Sequence, residues 1–112
     1  MEAARELLNG GADPSLANSQ GVTPLHYAAR RGSKHMAALI LDHSKVDINA
    51  RDGSNLTPLH FSCIHGNEEV SRLLLERNAD VQAKSTELMT PLHFAVANGN
   101  PGTIKLILQK GI

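Results

Sequence analysis

Thr23-Pro24-Leu25-His26, Thr57-Pro58-Leu59-His60 and Thr90-Pro91-Leu92-His93 are one four-residue word written three times, at intervals of 34 and 33 residues. A period between about 20 and 50 residues marks an array of small stacked units. The word also has a local meaning. A Thr hydroxyl can accept from the free backbone N–H groups of a helix start. Proline suits the first helical position, where its missing N–H is not needed. Each word therefore opens a short helix.

Working outward, each word is followed by a pair of small residues (Ala28-Ala29, Ser62-Cys63, Ala95-Val96) and then a glycine, at 32, 66 and 99. The first helices of the units are expected over 24–30, 58–64 and 91–97. A glycine turn then leads to a second helix in each unit. Ser33 caps the one over 34–42, with Met36, Leu39 and Ile40 on its apolar face. Asn67 caps the next, with Glu68 and Glu69 in its first turn, where negative charge meets the positive helix end. Val70, Leu73 and Leu74 form its apolar face. Asn100 and Pro101 open the last, which carries Ile104, Ile107 and Leu108. Residues 1–9 read as a further helix, with Ala3, Ala4, Leu7 and Leu8 on one face, stopped by Asn9-Gly10-Gly11.

Composition narrows the function. Apolar residues make up 41% of the 112-residue chain and aromatics 3%, so the core is aliphatic and suits thin helical layers. Eleven basic and eleven acidic residues balance, which is not the basic footprint of a nucleic-acid binder. The single cysteine, Cys63, excludes an internal disulfide framework and points to an intracellular chain, cytoplasmic or nuclear. No apolar stretch approaches a membrane span or a signal peptide core.

These motifs resemble the ankyrin repeat, and the resemblance covers essentially the whole chain. Asp13, Asp47 and Asp80, each ten residues before its Thr, belong to the same pattern. The resemblance implies an all-α solenoid in which each unit is a helix-turn-helix plus a projecting β-hairpin finger. The chain divides into a partial repeat at 1–22, complete repeats at 23–56 and 57–89, and a partial repeat at 90–112, forming one domain. Helices of seven to ten residues are too short to stand alone, so stacking must stabilise them. Both ends lack a polar capping repeat, which suggests part of a longer array; the rival reading is self-association through exposed repeat ends.

Two departures from the pattern carry expectations. One extra residue near His43-Ser44-Lys45 accounts for the longer interval and implies a local loop change. Ankyrin fingers usually place glycine two residues before the Thr. Gly21 satisfies this and Asn55 tolerates it, whereas Leu88 does not. A non-standard tip is therefore expected over 84–89.

No catalytic constellation emerges. There is no phosphate-binding glycine loop, no nucleophile elbow and no paired carboxylates at a recognisable spacing. His60 and Cys63 share a helix face at i, i+3, but two ligands do not make a zinc site. Cys63 reads better as a small buried residue. The chain is expected to be no enzyme and to need no metal or cofactor. The resemblance implies that His26, His60 and His93 bond to Thr23, Thr57 and Thr90 and to nearby backbone, tying helix to finger.

The resemblance also implies a partner-binding surface on the finger tips and the exposed side of each first helix. Carried over residue by residue, it comprises Val22, Arg30 and Arg31; Arg51, Ser54, Leu56, Ile64 and His65; and Lys84, Glu87, Met89 and Asn98. Leu56, Ile64, Leu88 and Met89 would form an apolar patch flanked by Arg30, Arg31 and Arg51. The ligand is expected to be another protein. The alternative is a regulatory domain of a larger enzyme or channel that binds an intramolecular surface or a small-molecule effector. Asp47-Ile48-Asn49-Ala50 resembles the finger sequences that an asparaginyl hydroxylase modifies, which nominates Asn49.

Overall fold

The computed structural model describes residues 16–43 and 46–110. Six helices appear among them: α1 (Pro24–Arg31), α2 (Lys34–Leu41), α3 (Pro58–Ile64), α4 (Glu68–Glu76), α5 (Pro91–Asn98) and α6 (Pro101–Gln109). Each word opens one of the odd-numbered helices. Thr23 and Thr57 accept at Oγ1 from the N–H of His26 and His60, and proline follows at N1. Gly32 and Gly99 close α1 and α5 in the left-handed conformation, at φ 75° and 84°. Gly32 is also crowded: a Cβ there would lie 2.8 Å from Asn67 Oδ1.

The helices pack in two layers. The inner layer is α1, α3 and α5 in succession, and the outer is α2, α4 and α6. Helices α1·α2, α3·α4 and α5·α6 form helical hairpins across the layers. Leu25, Leu59, Ile40, Leu74 and Ile107 fill the space between them and are essentially inaccessible. Ala28, Ala29, Ser62, Cys63 and Ala95, also buried, keep the inner helices close. Within this core Ser62 Oγ donates to the Leu59 carbonyl and lies 2.7 Å from Ser71 Oγ, bonding α3 to α4. Burial pushes the Cys63 thiol up to about 12, so it is an unreactive packing residue.

Several expectations need correction. The projecting fingers contain no β-strand among the described residues. Each is instead a turn closed by its own side chain. Asn18, Asp52 and Ser85 occupy equivalent positions; each donates its N–H to the carbonyl four residues on and accepts at its carbonyl from the N–H three residues on. The same side chain accepts from the N–H groups two and four residues on, at 2.8–3.2 Å. Side-chain bonds of this kind take up backbone groups that a ladder would otherwise use. The tip at 84–89 is not exceptional: Leu88 sits at φ 65°, beside 79° for Gly21 and 61° for Asn55, with the same bonds.

Helix α1 runs one residue further than expected, to Arg31. Helix α2 ends at Leu41, with Asp42 as its C-cap. Ser33 caps α2 and Asn100 caps α6 through their side chains, but Asn67 does not cap α4. Its Nδ2 donates instead to the Ala29 carbonyl at 2.6 Å and the Arg30 carbonyl at 3.1 Å, reaching back to the end of α1. The expected helix over 1–9 with its stop at Asn9-Gly10-Gly11, the extra residue near Ser44-Lys45, and the terminal Gly111-Ile112 lie outside the described residues.

Candidate interaction surface

A hydrogen-bonded chain joins the units and builds one face of the stack. In the first word, Thr23 N–H donates to His26 Nδ1 at 3.1 Å, and Thr23 Oγ1 lies 2.9 Å from the same nitrogen. An atom that accepts from an N–H carries no proton, so the ring proton is on Nε2. That proton goes to the carbonyl of Leu56, 2.7 Å away in the following finger. His60 repeats the arrangement, accepting from Thr57 N–H at 3.0 Å and donating to the Met89 carbonyl at 2.9 Å. Burial lowers the pKa of both imidazoles, with Arg51 adding a smaller like-charge contribution at His60. His93 accepts from Thr90 N–H at 2.9 Å but is exposed, and among the described residues no further finger stands beside it.

The finger tips are linked in the same direction. Gly53 N–H donates to the Gln20 carbonyl and Thr86 N–H to the Ser54 carbonyl, at 2.8 and 2.9 Å. Arg51 Nη1 donates to the carbonyls of Asn55 and Lys84, bridging two tips. Tips and inner helices thus stand as two rows with a furrow between them.

Two grooves occupy that furrow, one repeat apart. The first has a volume of about 640 Å³; Val22, Tyr27, Arg30 and Phe61 line its floor and helix side, and Asn18, Gln20 and Asp52 its tip side. The second, about 350 Å³, has Leu56, Ile64 and Phe94 below and Ser85, Thr86 and Glu87 above. Gly53 and Ser54 belong to both. Arg30 in the first groove and Ile64 in the second hold the same repeat position, so one groove carries a cation where the other carries an alkyl group.

Of the residues nominated from sequence, Val22 and Arg30 line the first groove, Leu56, Ile64 and Glu87 the second, and Ser54 both. Arg31 is exposed, with its guanidinium 5.8 Å from the Tyr27 ring centre. Arg51 and Lys84 are exposed, but each has a group in the bridge between tips. His65 is exposed as the C-cap of α3. Asn98 lies over Gly66 and donates to the Ile64 carbonyl at 3.4 Å. The apolar patch divides: Leu56 and Ile64 share a groove, whereas Met89 is half-buried and Leu88 projects at 70% exposure, neither lining that groove. Asn49 is half-buried, with its Oδ1 accepting from the Asp80 N–H at 2.9 Å.

Sequence reasoning missed the aromatic residues. The chain has one Tyr, two Phe and no Trp, and all three stand directly after the His of a word, at Tyr27, Phe61 and Phe94. Every one lines a groove. Phe61 meets the His26 ring edge-on at 4.9 Å between centres, and Phe94 meets His60 at 5.7 Å. A scarce residue type confined to one register position was a legible signal.

Among the described residues no three His, Cys, Asp or Glu side chains cluster as metal ligands would, and no helix is long and apolar enough to cross a membrane. The family model described as Ankyrin repeats (3 copies) matches residues 1–85 and 46–112.

Proposed function

The chain belongs to the ankyrin-repeat family, and from that premise we propose that it binds another protein along the furrow between its finger tips and α1, α3 and α5. Ankyrin repeats are in general protein–protein interaction modules and are generally not catalytic. The observation that carries the choice of face is the row of Tyr27, Phe61 and Phe94, each partly accessible in a groove. Aromatic and arginine side chains are enriched at protein interfaces. Here they stand on a framework already ordered by the His26 and His60 bonds, so little further ordering is needed on binding.

The test is affinity capture from a cell extract with the wild-type chain and a Leu56→Glu, Ile64→Glu variant. Both substitutions place carboxylates in the second groove. The far-UV circular dichroism of the variant should match the wild type. A protein retained by the wild type and lost from the folded variant supports this face. Equal capture by both would move the binding site elsewhere on the molecule.

A further inference from the structure

The geometry points to a particular ligand for this furrow: an extended, polyproline-II-like segment with an acidic and an aliphatic side chain three residues apart. The inference rests on the face proposed above and adds the chemistry of its occupant.

The two grooves are successive repeats of one site, so their separation is that of packed helices, about 8–10 Å. In a polyproline II segment, residues i and i+3 point the same way and lie about 9 Å apart. A β-strand presents i and i+2 on one side, only about 7 Å apart. An α-helix matches the distance only at i and i+7, about 10.5 Å. Grooves walled by aromatic rings are the surfaces on which polyproline II ligands seat. Tyr27 and Phe61 wall the first groove and Phe94 the second.

The charges set the register. Arg30 lines the first groove, and among the described residues no carboxylate pairs with it. Asp52 brings one negative charge to the same groove, with its Oδ1 turned to the N–H groups of Ser54 and Leu56 at 2.9 Å, so the preference for an acid rests on Arg30 and Arg31 together. Arg31 adds a second exposed guanidinium beside Tyr27. The first groove therefore favours a carboxylate, which a guanidinium can bind through two parallel bonds. The second groove has Ile64 in place of Arg30 and exposed Glu87 on its rim, so it favours an alkyl group and disfavours an acid.

The test is selection of random twelve-residue peptides displayed on phage, against the wild-type chain and against Arg30→Glu. Arg30 is an exposed side chain, and circular dichroism should show both proteins equally helical. The wild type should enrich peptides with Asp or Glu three residues from Leu, Ile or Val. Arg30→Glu should weaken such a peptide roughly tenfold to a hundredfold and enrich Lys or Arg at the acidic position. Enrichment at a spacing of seven, enrichment without an acidic residue, no enrichment, or unchanged binding by Arg30→Glu would each overturn the inference. Loss of a captured protein in the Leu56→Glu, Ile64→Glu variant alongside any of those outcomes would leave the face standing and remove only this ligand.

Discussion

His26 Nε2 lies 2.7 Å from the carbonyl oxygen of Leu56, thirty residues further along the chain. That bond joins the helix start of a repeat to the end of the finger that leads into the next word, and His60 makes the same link to Met89. The recurring word therefore does two jobs. Its Thr and Pro begin a helix, and its His fastens the finger that follows. His93 carries the same word without the second bond among the described residues, which gives an internal control. His60→Ala removes the acceptor of Thr57 N–H and the donor to Met89, leaving buried groups unpaired. It should cost about 2–4 kcal/mol. His93→Ala, at an exposed site, should cost about 1 kcal/mol or less. Urea denaturation midpoints would compare them, and equal losses would mean that the link from helix to finger adds nothing.

The same histidines set a pH dependence. Burial lowers the pKa of His26 and His60 below the ordinary 6.5. Below pH 6.5 the unfolded chain takes up protons that the native state refuses, so stability rises with pH across that window. It is fully present above about pH 7 and falls as the pH drops below 6.5. Melting temperatures between pH 7.5 and 5.5 should therefore decline, and His60→Gln should flatten the decline. A variant with the wild-type slope would place the responsible protons on other groups.

Leu88 should be a site of easy stabilisation. It holds φ 65° and is 70% exposed, so it pays the left-handed penalty and buries little in return. That penalty is about 1–2 kcal/mol for a residue with a Cβ, and asparagine tolerates the conformation better. Leu88→Asn, copying Asn55 of the preceding finger, should raise stability by about 1 kcal/mol. A lowered midpoint would show that the Leu88 side chain packs more than its exposure indicates.

The parts of the fold that were legible from sequence are those decided within a few residues. Thr23 and Pro24 start α1 and Gly32 stops it, whatever lies elsewhere. The errors arose where distant groups decide. Leu88 looked incompatible with a standard tip, yet the Thr86 N–H to Ser54 bond from the preceding finger, added to the turn that Ser85 closes, holds that tip in the common form. Asn67 looked like a cap because Asn favours helix starts, but its amide is drawn to carbonyls of α1, nearly forty residues back. At the candidate surface, the repeat register nominates Arg30, Leu56 and Ile64, which line the two grooves. Tyr27, Phe61 and Phe94 offer no cue beyond their scarcity and their shared register position directly after the His of each word.

Thr103 tests the core of α6. Its Oγ1 is buried and has no hydrogen-bond partner among the described residues, while Val70 fills the equivalent position in α4. A buried hydroxyl without a partner costs about 1–3 kcal/mol, and valine replaces it with a methyl group in nearly the same shape. Thr103→Val should raise the denaturation midpoint by the equivalent of about 1 kcal/mol. No gain would mean that the hydroxyl is satisfied in solution, by water or by local rearrangement.

Asn67→Asp separates local propensity from the observed contact. Asp and Asn are about equally good at a helix start, and a negative charge ahead of Glu68 and Glu69 still faces the positive end of α4, so propensity alone forecasts almost no change. The structure forecasts a loss. Asn67 Nδ2 is the donor to the carbonyls of Ala29 and Arg30, and a carboxylate has no proton to offer either. Asp at 67 would set an oxygen against two carbonyl oxygens at the end of α1, where the helix dipole is also negative. The expected cost is about 2 kcal/mol, read as a shift in the urea midpoint, with part recovered as the pH approaches 4 and the new carboxyl gains a proton. A neutral substitution would mean that Asn67 acts as a local cap after all and that its bonds to the end of α1 add nothing.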